Sequence, residues 1–228
     1  MNFGGLQKNS LIDFPGAPAA VAFAQGCGWA CPYCHNSRLI PDRCESPISA
    51  EDVIQFACQR PPRARNLVVS GGEPTRQPDL PEFLRVARQH SLRLKLDTNG
   101  SNPHMLQQVL DHGLVDYVAM DVKGPLPDYR RYSGKRECAP TVKESIHILK
   151  SSRIPYEFRT TVVPNLHKTT DIARLAQSLE GGRVLYLQPF RAQHALAQSL
   201  RNSPEPTPAM LQEFCDVAKR FIPVKIRS

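Results

Sequence analysis

Six short apolar runs, at residues 19–25, 66–70, 93–97, 115–121, 156–163 and 183–188, alternate with amphipathic stretches along the whole chain. They favour Val, Leu, Ile and Tyr, as strands buried on both faces do. The intervening stretches carry helix signals. Ser49 with Asp52, Asp79 with Glu82, and Thr141 with Glu144 each set a capping acceptor three residues ahead of a carboxylate. Asn102-Pro103 and Thr207-Pro208 place a cap before proline at the first helical position. Met105, Leu106, Val109 and Leu110, stopped by Gly113, form one core stripe, and Met210, Leu211, Phe214, Val217, Ala218 and Phe221 form another. Strand then helix, six times over, predicts a parallel sheet with helices outside it. Right-handed crossovers leave two arrangements, an open doubly wound sheet or a curved partial barrel, with chemistry at the carboxyl ends of the strands. No repeat or composition break divides the chain, so residues 1–228 are expected to form one domain.

Composition narrows the partners. The longest apolar run near the start, Ala19 to Ala24, is far short of the ~20 residues a membrane span needs. The opening residues lack the blocks of a signal peptide, so the expected location is cytoplasmic. Lys and Arg (29) exceed Asp and Glu (21) by 8. That excess suits an acidic partner or a nucleotide, but no nucleic-acid-binding motif accompanies it and no direct nucleic acid contact is expected. Polar, Pro- and Gly-bearing segments at 124–139 and 191–206 fall at the reactive end and could border a substrate groove.

Three of the seven cysteines, Cys27, Cys31 and Cys34, sit within eight residues, directly after the first apolar run. Three thiolates on one loop suit an iron–sulfur cluster or zinc. A [4Fe–4S] cluster held by three cysteines keeps one iron open for substrate. A zinc site would want a fourth ligand, and His35, adjoining Cys34, is awkwardly placed for it. Cys44, Cys58, Cys138 and Cys215 are scattered without ligand spacing, and Cys58 and Cys215 fall in helices as small apolar residues. After the second run comes Ser70-Gly71-Gly72-Glu73-Pro74-Thr75, where paired glycines permit close backbone approach and Glu73 offers an acceptor for an ammonium group.

Together, Cys-x3-Cys-x2-Cys and Gly-Gly-Glu-Pro resemble the radical S-adenosylmethionine (SAM) superfamily. The resemblance implies a partial (β/α)6 TIM-like barrel, α/β in class, with parallel strands and outer helices. It also implies one [4Fe–4S] cluster on Cys27, Cys31 and Cys34, SAM chelated at the open iron, Gly71, Gly72 and Glu73 at the SAM amino group, and Tyr33 beside the adenine. The opening Asn2 to Gly16 narrows this further, as do Asp97-Thr98-Asn99-Gly100, Met120-Asp121-Val122-Lys123 and Phe158 to Pro164. These segments resemble the glycyl-radical-enzyme activases, most closely the activating proteins of anaerobic ribonucleoside-triphosphate reductase. From the related pyruvate formate-lyase activases, the resemblance implies a monovalent cation near SAM at Asp97, Thr98 and Asp121. It places Lys123 and Arg159 in the SAM pocket. Read from the residues alone, Asp97 and Asp121 could equally be caps or strand-end ion pairs, and Lys123 a surface lysine. One departure stands out: Gln188-Pro189-Phe190-Arg191 carries arginine where formate-lyase activases have a nearby histidine, so Arg191 is assigned to the SAM carboxylate or ribose.

The chemistry so implied is reductive cleavage of SAM to a 5′-deoxyadenosyl radical, which takes hydrogen from a glycine Cα of a partner, with flavodoxin or ferredoxin as electron donor. The cofactor does the hard chemistry, so no general acid or base is assigned. Two alternatives are a radical SAM enzyme acting on a small molecule, for instance in deazapurine biosynthesis, and a zinc-stabilised binding module.

Overall fold

The computed structural model describes residues 1–227. One eight-stranded sheet runs in sequence order: β1 (Phe3–Ser10), β2 (Ala19–Ala24), β3 (Asn66–Gly71), β4 (Arg93–Thr98), β5 (Tyr117–Asp121), β6 (Tyr156–Val162), β7 (Leu185–Pro189) and β8 (Val224–Ile226). All pairs from β2 to β8 are parallel, and β1 pairs antiparallel with β2. Among the described residues no pairing joins β8 to β1, so the curved sheet keeps two free edges, as in a partial TIM-like barrel. Six of these strands are the six apolar runs.

The outer strands were not visible in the pattern. Strand β1 (Phe-Gly-Gly-Leu-Gln-Lys-Asn-Ser) has two glycines and no apolar alternation, and its register with β2 shifts twice. It is held by pairing to a strand that is already buried. Three-residue β8 is too short to show a period.

Helices α1 (Ala50–Cys58), α2 (Leu80–Gln89), α3 (Pro103–Asp111), α4 (Tyr129–Ser133), α5 (Ala139–Ser151), α6 (Thr169–Ser178) and α7 (Pro208–Ala218) lie along the connections between strands. Among the described residues none is long and apolar enough to cross a membrane. Ser49, Asn102 and Thr207 cap as expected, accepting from the backbone N–H of Asp52, Met105 and Met210. Two predicted caps differ. Asp79 makes no cap bond and instead pairs with the N-terminal amine. Thr141 lies inside α5, which starts at Ala139, and its hydroxyl donates to the Cys138 carbonyl. The 124–139 segment is also not an open polar loop, because α4 folds there and buries Tyr129 and Tyr132.

Most of the apolar core lies between sheet and helices, including Leu67, Leu84, Leu94, Leu96, Val118, Phe158 and Leu185. The concave side of the sheet is different. Besides a small apolar group of Phe14, Ala19, Val21 and Val68, it carries buried charge.

Candidate active site

The cysteine loop begins where β2 ends. Gly26 turns the chain with φ +94°, and the loop is pinned by Gly26 N–H to Leu39 O (2.8 Å) and Cys27 N–H to Ile40 O (3.0 Å). Cys34 N–H closes the turn onto Cys31 O at 3.0 Å. Trp29 is buried and meets the Tyr129 ring edge-on at 5.8 Å between centroids. The segment after β7 laps onto the loop through Ala197 N–H to Pro32 O (2.8 Å).

The Gly-Gly-Glu turn is fitted against this loop. Gly71 has φ +115°, and a Cβ there would stand 2.4 Å from Ala24 N. At Gly72 a Cβ would stand 2.3 Å from Gly26 O. The backbones bond directly, Gly72 N–H to Ala24 O (2.9 Å) and Glu73 N–H to Gly26 O (2.8 Å). The close approach that the paired glycines permit is thus made to the protein's own backbone, and it locks the two motifs together.

Glu73 is 1% exposed. Its Oε1 accepts from Thr75 N–H (3.1 Å), Thr75 Oγ1 (2.6 Å) and Thr98 Oγ1 (2.7 Å), and its Oε2 from Asn99 N–H (2.6 Å). Burial pushes this carboxyl up; the four donors pull it back, and the net shift is upward. Asn99 carries the chain of contacts onward, its Nδ2 lying 3.9 Å from Cys27 Sγ.

Strand alternation aims Lys95 and Asp97 of β4 to the same inner face, where they meet Asp121 and Arg159 from β5 and β6. Asp97 accepts from Lys95 Nζ (2.5 Å), Ser70 Oγ (3.0 Å) and Arg159 Nη1 (3.1 Å). Asp121 accepts from Arg159 Nε (2.8 Å) and Lys123 Nζ (3.0 Å). Burial pushes both carboxyls up, and Arg159 leads the cations that hold both below the usual range. Burial would lower Lys123 and Arg159, but the carboxylates outweigh it and raise both. Thr98 does not join this group; it serves Glu73.

A cavity of about 350 Å³ is lined by Cys27, Cys31 and Cys34, by Tyr33, by Gly71, Gly72 and Glu73, and by Asp97, Thr98, Asp121, Lys123 and Arg159. Tyr33 is buried beside Val163, Phe190 and Ala195. Arg191 stands apart: its side chain is 55% exposed and pairs with Glu205 at 2.7 Å, while only its backbone N–H reaches inward, to His35 Nε2 (3.3 Å). From the same segment it is Gln188, not Arg191, that lines the cavity. Sequence reading did not single out Lys95, Ser70 and Asn99 as site residues. The one available signal was Lys95 two positions before Asp97 in an otherwise apolar strand.

Burial raises all three thiols, Cys31 to about 12, with Lys123 pulling back in each case. Free, they are protonated at neutral pH, so a bound metal group must displace those protons. Among the described residues no three His, Cys, Asp or Glu side chains are placed to hold one metal ion. Three thiols spread around a shared cavity fit a multi-iron cluster, which spans more space than one tetrahedral ion.

Comparison with known proteins agrees. The Radical SAM superfamily profile matches residues 21–179. A Methanocaldococcus jannaschii protein described as a glycyl-radical enzyme activating enzyme is 31% identical over 226 residues, covering 96% of this chain and 92% of that one. The pyruvate formate-lyase-activating enzyme of Clostridium pasteurianum is 25% identical, covering 78% and 76%. Among solved structures, a radical SAM methyltransferase from Sphaerobacter thermophilus superposes with a TM-score of 0.66 at 16% identity, over 94% of this chain and 67% of that one. Streptococcus suis SuiB bound to S-adenosylmethionine gives 0.65 at 12%, over 90% and 49%. This chain thus spans between about half and two thirds of those structures, and their likeness is one of fold. With both signature loops on one cavity and a relative matched end to end, the chain belongs to the radical SAM superfamily, in its glycyl-radical enzyme activating family, whose members use a [4Fe–4S] cluster and S-adenosylmethionine.

Proposed function

We propose that this protein activates a glycyl-radical enzyme, and that its partner is an anaerobic ribonucleoside-triphosphate reductase. The observation that carries the activase reading is the convergence of Cys27, Cys31 and Cys34 with Glu73 and the Asp97–Arg159–Asp121–Lys123 chain on one cavity. The reductase is favoured by the opening Asn2–Gly16 segment, while arginine at 191, where formate-lyase activases have a nearby histidine, counts against a formate-lyase as partner without singling out another.

Cys27, Cys31 and Cys34 would hold a [4Fe–4S] cluster, leaving one iron for the amino and carboxylate groups of SAM. Bound there and reduced by an external carrier, the cluster would supply the one electron that breaks the C5′–S bond of SAM, giving methionine and a 5′-deoxyadenosyl radical that would take hydrogen from a glycine Cα of the partner. The chain's own residues bind and orient. Lys123 and Arg159 give the cavity floor positive charge toward a carboxylate, and Asp121 keeps both in place. Tyr33 offers an apolar face for the adenine. Trp29 and Tyr129 back the cysteine loop and limit water on that side. The electron would come from a small acidic carrier such as flavodoxin or ferredoxin. Exposed Arg130, Arg131, Lys135 and Arg136 offer a basic surface, and Lys135 and Arg136 line a second hollow with Gly28 and Trp29, behind the cysteine loop.

The test is anaerobic electron paramagnetic resonance of the reconstituted chain with SAM, a reductant and candidate partners. A glycyl radical on the reductase and not on a formate-lyase is expected. SAM cleavage without radical on any glycyl-radical enzyme would sink the activase reading.

A further inference from the structure

The resemblance that assigns a monovalent cation to Asp97, Thr98 and Asp121 meets a site in this chain that does not fit one. Thr98 Oγ1 is given to Glu73 at 2.7 Å. Asp97 already receives three donors, from Lys95, Ser70 and Arg159, out of the roughly four positions a carboxylate offers. Asp121 is bridged by Arg159 and Lys123. Lys95, Lys123 and Arg159 therefore face Asp97 and Asp121, three positive charges against two negative. A metal ion added here would be a fourth positive charge beside three; it would compete with those cations for the acceptor positions left, about one on Asp97 and two on Asp121, and have their repulsion to overcome.

Lys95 is the distinctive member. It is 1% exposed, sits one pleat deeper than the cavity on β4, and its ammonium lies 2.5 Å from Asp97 Oδ1. An ammonium group and a potassium ion are close in size and charge, and both bind carboxylate oxygen. We propose that Lys95 supplies from within the chain the positive charge that a monovalent metal ion would bring to Asp97, so that this protein binds SAM without an alkali cation. Lys95 is a positioning residue. It holds Asp97, Asp97 holds the Arg159 guanidinium, and Arg159 with Lys123 presents charge to the ligand. The inference rests on reading this cavity as the SAM site.

The test compares SAM affinity of the anaerobically reconstituted protein in potassium chloride and in tetramethylammonium chloride of equal ionic strength, with thermal unfolding of the cluster-free chain in the same salts. Wild type is expected to agree within about twofold in affinity, with no potassium-specific change in unfolding temperature. Lys95→Met is expected to lose about tenfold or more in tetramethylammonium and to regain most of it, and its unfolding temperature, in potassium. A saturable potassium enhancement of about tenfold in wild type overturns the proposal, because an ion would then bind despite Lys95. So does a folded Lys95→Met that binds SAM as wild type does in tetramethylammonium. If Lys95→Met does not fold, the wild-type comparison decides alone. Wild type that binds no SAM in either salt overturns the functional reading, and this inference with it.

Discussion

Glu73 and Asn99 are joined by a 2.6 Å hydrogen bond from the Asn99 backbone N–H to Glu73 Oε2, and Asn99 in turn sets its amide 3.9 Å from the Cys27 sulfur. A residue that the family resemblance places at the SAM amino group is therefore also the clamp that ties the end of β4 to the cysteine loop. Buried polar chains of this kind are costly to interrupt, because each orphaned donor loses its partner without regaining water.

Glu73→Ala strands the Thr75, Thr98 and Asn99 donors at once. It is expected to destabilise the cluster-free chain by about 1–3 kcal/mol and to weaken SAM binding in the reconstituted one. Glu73→Gln should keep more of the stability, since its amide oxygen can still accept. Urea unfolding of both variants reads the difference, and equal stability of Glu73→Ala and wild type would contradict the clamp.

Cys27, Cys31 and Cys34 should each be needed for iron, and the remaining cysteines should not. Single Ala substitutions on the loop are expected to remove the brown chromophore and most of the iron after anaerobic reconstitution. Cys58→Ala and Cys215→Ala, in helices α1 and α7, should retain both, with Cys215→Ala costing about 1 kcal/mol of stability for its lost packing. Iron per chain is the measurement.

Gly72→Ala puts a methyl group 2.3 Å from Gly26 O and 2.8 Å from Leu39 O, both backbone atoms that cannot swing aside. The two signature loops must then separate, so iron loading and SAM affinity should both fall. Gly113→Ala is the control. Its φ is +59° with nothing within 4 Å of the new Cβ, so it should cost about 1–2 kcal/mol in backbone strain and leave iron loading intact.

Acid should release the ionic floor. Burial raises the Asp97 carboxyl, but Arg159 and Lys95 lower it more, leaving it below the usual range. A depressed carboxyl stabilises the fold fully above its unfolded value of about 4, and that contribution disappears as pH falls through the lower folded value. Asp97→Asn is expected to be less stable at neutral pH by about 3 kcal/mol and to show a shallower loss of stability between about pH 5 and pH 2. Urea midpoints across that range check it; parallel curves for the two proteins would refute the assignment.

The sequence by itself determined a parallel sheet with helices outside it, because six apolar runs alternating with amphipathic helices bury their faces that way; that the strands follow one another in chain order, as in a partial barrel rather than a doubly wound sheet, was decided by the tertiary structure. The sequence also determined the two loops that bear chemistry, since Cys27, Cys31, Cys34 and Gly71, Gly72, Glu73 each follow directly on a strand and act through local spacing. What only the tertiary structure decided lies between strands. No local signal shows that Asp97 of β4 reaches Arg159 of β6 across β5 or that Thr98 serves Glu73, and the spacing of Lys95 and Asp97 alone does not show that the two pair while buried. Arg191 shows the same limit from the other side: its position in the chain suggested the cavity, and a Glu205 carboxylate 14 residues on draws it out to solvent. Strand β1 is the structural counterpart, formed from a segment with no strand period because the exposed edge of β2 supplies the hydrogen bonds. Spacing along the chain decides which groups share a loop; the register between strands, set by packing over the whole sheet, decides which charges meet.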